Sequence, residues 1–450
     1  MPNLASRLAA RVEPVRIGLI GAGKFGSMFL AQARRTAGLH VVGVADVSVE
    51  NAKASLSRVG WPVEQFSAAS LEAALGSIDH ATAVIDNADA LLRCEGLDVI
   101  IEATGSPYAG VRHASMAIEH GKHLVMVNVE TDALVGPLLA ERASAAGVIY
   151  SLAYGDQPAL IAEQVDWARA IGLEVVAAGK GTKYLPEYHS STPDTIWNHY
   201  GITAEEAAQG GMNPQMFNSF LDGTKSAIES AATSNATGLL PPANGLLFPP
   251  ADVDALPEVL RPVADGGVLA QRGMVEVVSS MRRDGTALER DLRWGVYTCF
   301  AAPDDYVARC FGEYGLRTDS SGIYAAMYKP YHLIGLELGF SVASVAVRGE
   351  PTGAPTAFRA DVVAVAKRDL VAGETLDGEG GYTVWGKLAP AQASLSMGAL
   401  PLGLAHGVVL KRAVACGEVV RYADVTLDAA LPAVALRREM EQRERVSPSH

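Results

Sequence analysis

After an amphipathic opening of 14 residues, the apolar run VRIGLIGAG (15–23) has the pattern of a buried strand that ends in glycines. Helical and strand patterns then alternate. A helix is predicted over 25–37, a strand at HVVGVAD (40–46), a strand at LDVIIEAT (97–104) and a helix over 107–120. A strand at HLVMVN (123–128), a helix over 134–146 and a strand at VIYSLA (148–153) follow. These strands are apolar throughout rather than at every second position, the mark of a parallel sheet covered on both faces. The pattern predicts an α/β fold class, with a doubly wound Rossmann domain over 1–155.

The pattern changes over 156–354. A helix (157–171) and the strand LEVVAAGKG lead into the polar and aromatic loop YLPEYHSSTPD, whose 189–194 part could act as a lid. One helix is predicted over 217–235, then proline-rich connections, then four β-branched strands: GMVEVVSSM, WGVYTCFAA, YAAMYKPYH and SVASVAVRG. This order predicts an α+β catalytic domain whose apolar strands also offer an oligomerisation surface. Beyond the linker GEPTGAPTA, the phrases AVAKRDLVAGETLD and VVLKRAVACGEVVRYADV echo one another and predict a small β-rich module over 355–426. Residues 427–450 are expected to form a charged helix and tail.

Composition narrows the function classes. The 450 residues carry 37 basic and 50 acidic side chains, a net charge of −13 with no basic cluster, so nucleic acid is an unsuitable partner. The four cysteines stand far apart with no CxxC pair, against a zinc ribbon or a disulfide framework. No apolar run reaches the roughly 18 residues that span a bilayer, and the first residues lack a signal-peptide pattern, so no membrane partner and a cytoplasmic location are expected.

The decisive motif is GAGKFG, comprising Gly21, Ala22, Gly23, Lys24, Phe25 and Gly26, placed directly between strand and helix. Gly21 permits the tight turn, Gly23 lets backbone approach a pyrophosphate, and Gly26 lets the helix pack on the strand. Asp46 ends the next strand twenty positions later, where a carboxylate binds ribose hydroxyls and repels a 2′-phosphate. Val47 and Ser48 supply no arginine to offset that repulsion, so NAD is expected over NADP. Thr104, Gly105 and Asn128 fall at the carboxyl ends of two further strands and are expected to flank the ribose and nicotinamide.

No GxSxG or HExxH signature is present, which leaves hydrolysis and zinc-protease chemistry unsupported. A dehydrogenase needs a proton carrier. Lys180 ends an apolar strand between two glycines, a setting that desolvates an amine and suits it to proton transfer. Asp222, Lys225 and Glu229 fall at helical spacing and are expected on one face, while KPYH places Tyr331 and His332 at a strand end. Either set could equally be a solvated ion pair or a structural histidine. The carboxylates show no ligand spacing, so the need for a divalent metal stays open.

The phrases GLIGAGKFG, DVIIEATGSP, GKHLVMVNVE, GVIYSLAYGDQP, AAGKG, DGTKSAIESAATSNATGLLP, YKPYHLIGLEL and KRDLVAGETLD together resemble the 1-deoxyxylulose 5-phosphate reductoisomerase-like oxidoreductases. The resemblance implies a homoserine-dehydrogenase-like NAD(P) domain, a catalytic domain and a C-terminal SAF domain. It also implies a dinucleotide on Gly21, Gly23, Gly26 and Thr104, with substrate chemistry around Lys180, Lys225, Glu229 and the KPYH segment. Members differ in substrate: some reduce and rearrange the phosphorylated deoxyketose, others oxidise and isomerise branched sugar acids such as apionate. Asp46 without a basic neighbour departs from the NADPH-dependent reductase. The expectation is therefore an NAD-dependent oxidoreductase or oxidoisomerase acting on a sugar acid or sugar phosphate, as a homodimer or larger. An NADPH-dependent reductoisomerase, a homoserine dehydrogenase-like enzyme and a non-catalytic nicotinamide sensor are the alternatives.

Overall fold

The computed structural model describes residues 3–209 and 212–446. The chain forms two compact units, Met1–Leu160 with Leu333–Thr356, and Ile161–His332 with Ala357–His450. The division falls inside the helix Gln157–Ala170.

The first unit is built on six parallel strands: β1 (Val15–Ile20), β2 (Leu39–Ala45), β3 (Ala83–Ile85), β4 (Val99–Glu102), β5 (His123–Met126) and β6 (Tyr150–Leu152). Their order in the sheet is β3-β2-β1-β4-β5-β6, the doubly wound arrangement in which the chain reverses direction between β1 and β4. Ile17, Leu19, Val99 and Ile101 are fully buried, as strands covered on both faces require.

Residues 333–356 return to this unit, although the sequence pattern assigns them to the middle domain. SVASVAVRG, expected as a strand, forms a helix at Gly339–Ala343 that continues as a wider π turn at Ser344–Arg348. The reason is spacing. Leu338, Val342 and Val345 recur at i, i+4 and i+7, and that stripe is buried in the core of the first unit. β-Branched composition suggested a strand, and the helical period overrode it.

The second unit holds a mixed sheet of β7 (Glu174–Thr182), β8 (Met274–Ser279), β9 (Val296–Ala301) and β10 (Tyr324–Lys329), in the order β10-β9-β7-β8. β7 and β8 run parallel, whereas β7–β9 and β9–β10 are antiparallel. β9 is buried along its whole length inside this sheet, whereas Trp294, which opens the segment WGVYTCFAA, is exposed. Its neighbour β10 is the edge and exposes Tyr328.

The predicted helix over 217–235 is two helices, Pro214–Leu221 and Thr224–Thr237, because Gly223 at φ +92° breaks the chain between them. Strands β11 (Ala360–Ala366) and β12 (Val384–Pro390) pair in antiparallel register in the same unit. The two echoing phrases pair with each other: Leu370 and Val414, equivalent positions of the repeat, exchange both backbone hydrogen bonds at 2.9 and 3.0 Å. The 355–426 and 427–450 segments thus pack into the catalytic unit rather than standing apart. The helix Pro432–Val446 is anchored by Arg437, fully buried against Asp361 at 2.6 Å and Glu441 at 2.9 Å.

Candidate functional site

In the first unit, β1 ends at Ile20 and the chain turns through Gly21 at φ +96° into the helix Lys24–Ala33. A Cβ on Gly21 would lie 2.7 Å from the Ala103 carbonyl oxygen, and one on Gly26 would lie 2.1 Å from the Gly21 carbonyl oxygen. The fold itself requires both glycines. Gly23 differs: it is exposed, a Cβ there would meet no protein atom within 4 Å, and no side chain caps the helix it begins. The open helix N-terminus above Gly23 is a cradle for a diphosphate, with backbone N–H groups and the helix dipole directed at it.

Asp46 follows the end of β2. Its Oδ2 accepts the Ala22 backbone N–H at 2.8 Å and its Oδ1 accepts the Ser48 N–H at 3.0 Å, so the carboxylate is fixed to the glycine turn. Each oxygen keeps a further lone pair for a ribose hydroxyl. Val47 beside it is 98% exposed and brings no charge.

On the β4 side, Thr104 and Gly105 are exposed on the loop that follows the strand. Asn128, expected with them to flank the ribose and nicotinamide, is buried. Its Oδ1 caps the helix Val129–Ala145 through the Thr131 N–H at 3.0 Å, and its Nδ2 donates to the Ser106 carbonyl at 2.9 Å and Thr104 Oγ1 at 3.3 Å. An asparagine at a strand end is a favoured helix cap, and here that local role holds the loop in place.

In the second unit, Lys180 on β7 and Glu229 on the helix Thr224–Thr237 form a buried ion pair. Lys180 lies in one cross-strand row with Val296 and Lys329, whose side chains share a sheet face. The same end of the sheet carries His332, whose Nδ1–H donates to the Trp294 carbonyl at 2.7 Å, and Tyr331, half exposed with the Lys329 ammonium 5.1 Å from its ring centre. Lys225 stands one turn before Glu229, as expected, and is partly exposed.

Asp222 does not join that face. The break at Gly223 places it at the end of the preceding helix, where its Oδ1 accepts the Thr224 N–H at 2.9 Å and its Oδ2 pairs with buried Lys367 at 2.8 Å. Its chemistry is committed to holding the helix. The 189–194 loop is also tied down: His189 Nδ1–H donates to the Asp222 carbonyl at 2.6 Å, its ring stacks on Trp385 at 3.9 Å, and Asp194 accepts the Tyr382 hydroxyl at 2.9 Å. Burial lowers the pKa of His189 and keeps it neutral.

Other groups had no motif to announce them. Glu102, Asp132 and Glu276 are wholly buried acids. Desolvation pushes the Asp132 carboxyl up to about 7, opposed by the Tyr150 hydroxyl that it accepts at 2.8 Å. Glu276 is pushed up to about 7 by burial while accepting backbone N–H groups of Leu247, Phe248 and Val277. For Glu102 and Glu276 the available signal was an acid inside an otherwise apolar strand, VIIEAT and VEVV, whereas Asp132 lies in the helix Val129–Ala145. Among the described residues no group of three His, Cys, Asp or Glu could hold a metal, and no helix is long and apolar enough to cross a membrane.

Two family models match the chain. Residues 15–127 match the NAD-binding Rossmann fold of the GFO/IDH/MocA oxidoreductase family, and residues 155–338 match the catalytic domain of the DRL oxidoreductases. The chain therefore carries an NAD-binding Rossmann region followed by a region similar to an oxidoreductase catalytic domain. The chain has no match among curated proteins. Among solved structures it is similar to KijD10, a 3-ketoreductase from Actinomadura kijaniata, at 16% identity over 39% of this chain and 48% of that one, with a TM-score of 0.27. A myo-inositol dehydrogenase from Corynebacterium glutamicum gives 16% identity, 41% and 48% coverage and a TM-score of 0.28. The protein yvaA from Bacillus subtilis gives 12%, 77%, 92% and 0.39. The chain spans about half the length of the first two. Likeness at this level carries nothing about its substrate.

Proposed function

We propose that this oxidoreductase uses NAD+ to oxidise a secondary hydroxyl of a polyhydroxylated sugar acid or a related ketose, with Lys180 as the proton carrier. The observation that carries the reading is the buried Lys180–Glu229 pair, set beside a helix whose residues other than Lys225 and Ala236 are all buried although many are polar. The Ser226 hydroxyl on that helix has no hydrogen-bond partner among the described residues. Buried polar groups are normally satisfied within the protein, so an unsatisfied one beside an ion pair favours a hydroxylated ligand.

A bound NAD+ would supply the hydride acceptor for the oxidation. The hydroxyl proton passes to the Lys180 amine, and Glu229 stabilises the ammonium so formed. Two cations support an anionic substrate end. Lys183, one residue beyond β7, and Arg293 both lie 5.7 Å from the ring centre of Tyr200. Burial and Arg293 lower the pKa of Lys183. A carboxylate or a phosphate would satisfy them, which keeps the NADPH-dependent reduction of a phosphorylated deoxyketose as the second reading. Asp46 argues against its cofactor.

The test is a thermal-shift screen of sugar acids and sugar phosphates with NAD present, because a ligand at 100 times its dissociation constant stabilises by about 2.7 kcal/mol. Turnover of a stabilising compound supports the reading. Binding without turnover would turn it into a nicotinamide-dependent sensor.

A further inference from the structure

Glu102 ends β4 and is 0% exposed. Its Oε1 accepts the Thr104 hydroxyl at 2.6 Å and faces His113 Nδ1 at 3.1 Å, while its Oε2 has no hydrogen-bond partner among the described residues. The hydrogen-bond network assigns the imidazole state. Arg112 Nη2 stands 3.2 Å from His113 Nε2, and a guanidinium can only donate, so Nε2 accepts and the proton sits on Nδ1. His113 thus donates its Nδ1–H to Glu102 Oε1. The cation that serves it is Arg112, one imidazole away and itself paired with Asp89.

This charge lies at the half of the cradle opposite Asp46. A dinucleotide crosses a doubly wound sheet with one mononucleotide on each side of the central turn, so with Asp46 on the β2 side the nicotinamide half belongs to the β4 side. Ala103, the residue after Glu102, abuts the turn itself: its carbonyl oxygen is what a Cβ on Gly21 would strike at 2.7 Å. The nicotinamide ring carries a positive charge in NAD+ and none in NADH. A fixed carboxylate in a water-poor setting lowers the energy of the charged form only.

We infer that Glu102 is a specificity-determining residue, whose buried negative charge makes the Rossmann unit bind NAD+ in preference to NADH. A purely structural Glu102, anchoring the loop through Thr104, would support both forms equally. The inference uses only the NAD-binding unit and is independent of the substrate and of Lys180.

Dissociation constants of NADH, by fluorescence titration, and of NAD+, by competition, test it on the full chain. Glu102→Gln keeps the shape and removes the charge, and the ratio Kd(NAD+)/Kd(NADH) is expected to rise on the order of tenfold. Glu102→Asp keeps the charge and is expected to hold the ratio within about threefold of the parent. Equal weakening of both forms in Glu102→Gln would overturn the inference and leave a loop anchor. Should Glu102→Gln not fold, Arg112→Met on the partly exposed helix face decides: losing the compensating cation should lower the ratio about twofold or more. An unchanged or higher ratio there would equally overturn it.

Discussion

Replacing Lys180 separates a structural ion pair from a catalytic one. The Lys180 and Glu229 side chains are 9% and 7% exposed, so Lys180→Met leaves a carboxylate buried without its counter-charge. Breaking a buried pair in this way costs about 3–5 kcal/mol, a large part of the roughly 5–15 kcal/mol that holds a domain together. With a urea slope of about 2–3 kcal/mol/M, the unfolding midpoint should fall by about 1–2.5 M. Tryptophan fluorescence suits the assay, because Trp167, Trp197, Trp294 and Trp385 lie in the second unit and only Trp61 in the first. The double variant Lys180→Met with Glu229→Gln removes both charges and should recover most of the lost midpoint, since neutral replacement of a buried pair is close to neutral in stability. Turnover should behave differently, falling at least about 10²-fold in both the single and the double variant, the low end for a positioned acid–base group. A double variant as unstable as the single one would show that the stranded Glu229 charge is not the cause of the loss. A stable double variant with full turnover would make the pair structural and remove Lys180 from the mechanism.

Four further outcomes are expected. NAD(H) should bind more tightly than NADP(H), and Asp46→Ser should narrow the gap by relieving repulsion of the 2′-phosphate; equal affinities for the unaltered chain would defeat the assignment. The Asp132 carboxyl, at about 7 when folded against 3.8 as its ordinary value, holds its proton in the folded chain where the unfolded chain has released it. Its stabilising effect is therefore complete below about pH 4 and is lost as pH rises through 7, so Asp132→Asn should gain in urea midpoint relative to the parent from pH 5 to pH 8, and a constant difference would contradict this. Light scattering at micromolar concentration should give a dimer or larger, the common closed solution for an enzyme with an exposed sheet edge such as β10, and a monomeric mass would refute it. Carbon-13 connectivity of the product should show a rearranged skeleton if hydride transfer is coupled to movement of a carbon substituent; an unrearranged product would make the enzyme a simple dehydrogenase.

The first unit was legible because its signals are local. A strand buried on both faces, three glycines at fixed spacing and an acid at the next strand end each act within a few residues of their position, and Gly21, Gly26 and Asp46 occupy the places their spacing predicts. Signals failed where one residue type serves two structures. Valine-rich SVASVAVRG became helical because its burial period was 3.6 rather than 2. Asp222 illustrates the other failure. Its spacing to Lys225 is helical, yet Gly223 interrupts the helix between them, and Lys367, 145 positions away in sequence, claims the carboxylate. No local pattern could announce that partner.

The helix Thr224–Thr237 carries the same lesson into function. Its sequence TKSAIESAATSNAT is polar on every side, which by itself describes a solvated helix, and the structure buries nearly all of it. Burial on that scale is tolerable only because the polar groups find partners: Thr233 and Thr237 bond back to the Glu229 and Thr233 carbonyls at 2.8 and 2.7 Å, and Asn235 Oδ1 accepts the Arg359 and Ala360 N–H groups at 2.8 and 2.9 Å. The Asn235 contacts come from the start of β11, and Gly386 on β12 donates to Thr224 Oγ1 at 2.8 Å, so the C-terminal strands grip this helix at both ends. The resulting rigidity is what an acid–base pair needs, because a proton carrier displaced by even about 1 Å can lose on the order of 10²-fold in rate. Loss of Asp222 from the expected set shortens the list of groups that could drive a carbon-skeleton rearrangement. Under the proposed function, Lys225, Glu229, Tyr331 and His332 would remain for that step, and Lys180 with Glu229 would serve the oxidation alone. The physical economy of the site therefore favours hydride transfer as the core reaction, with rearrangement the part that product connectivity has to establish.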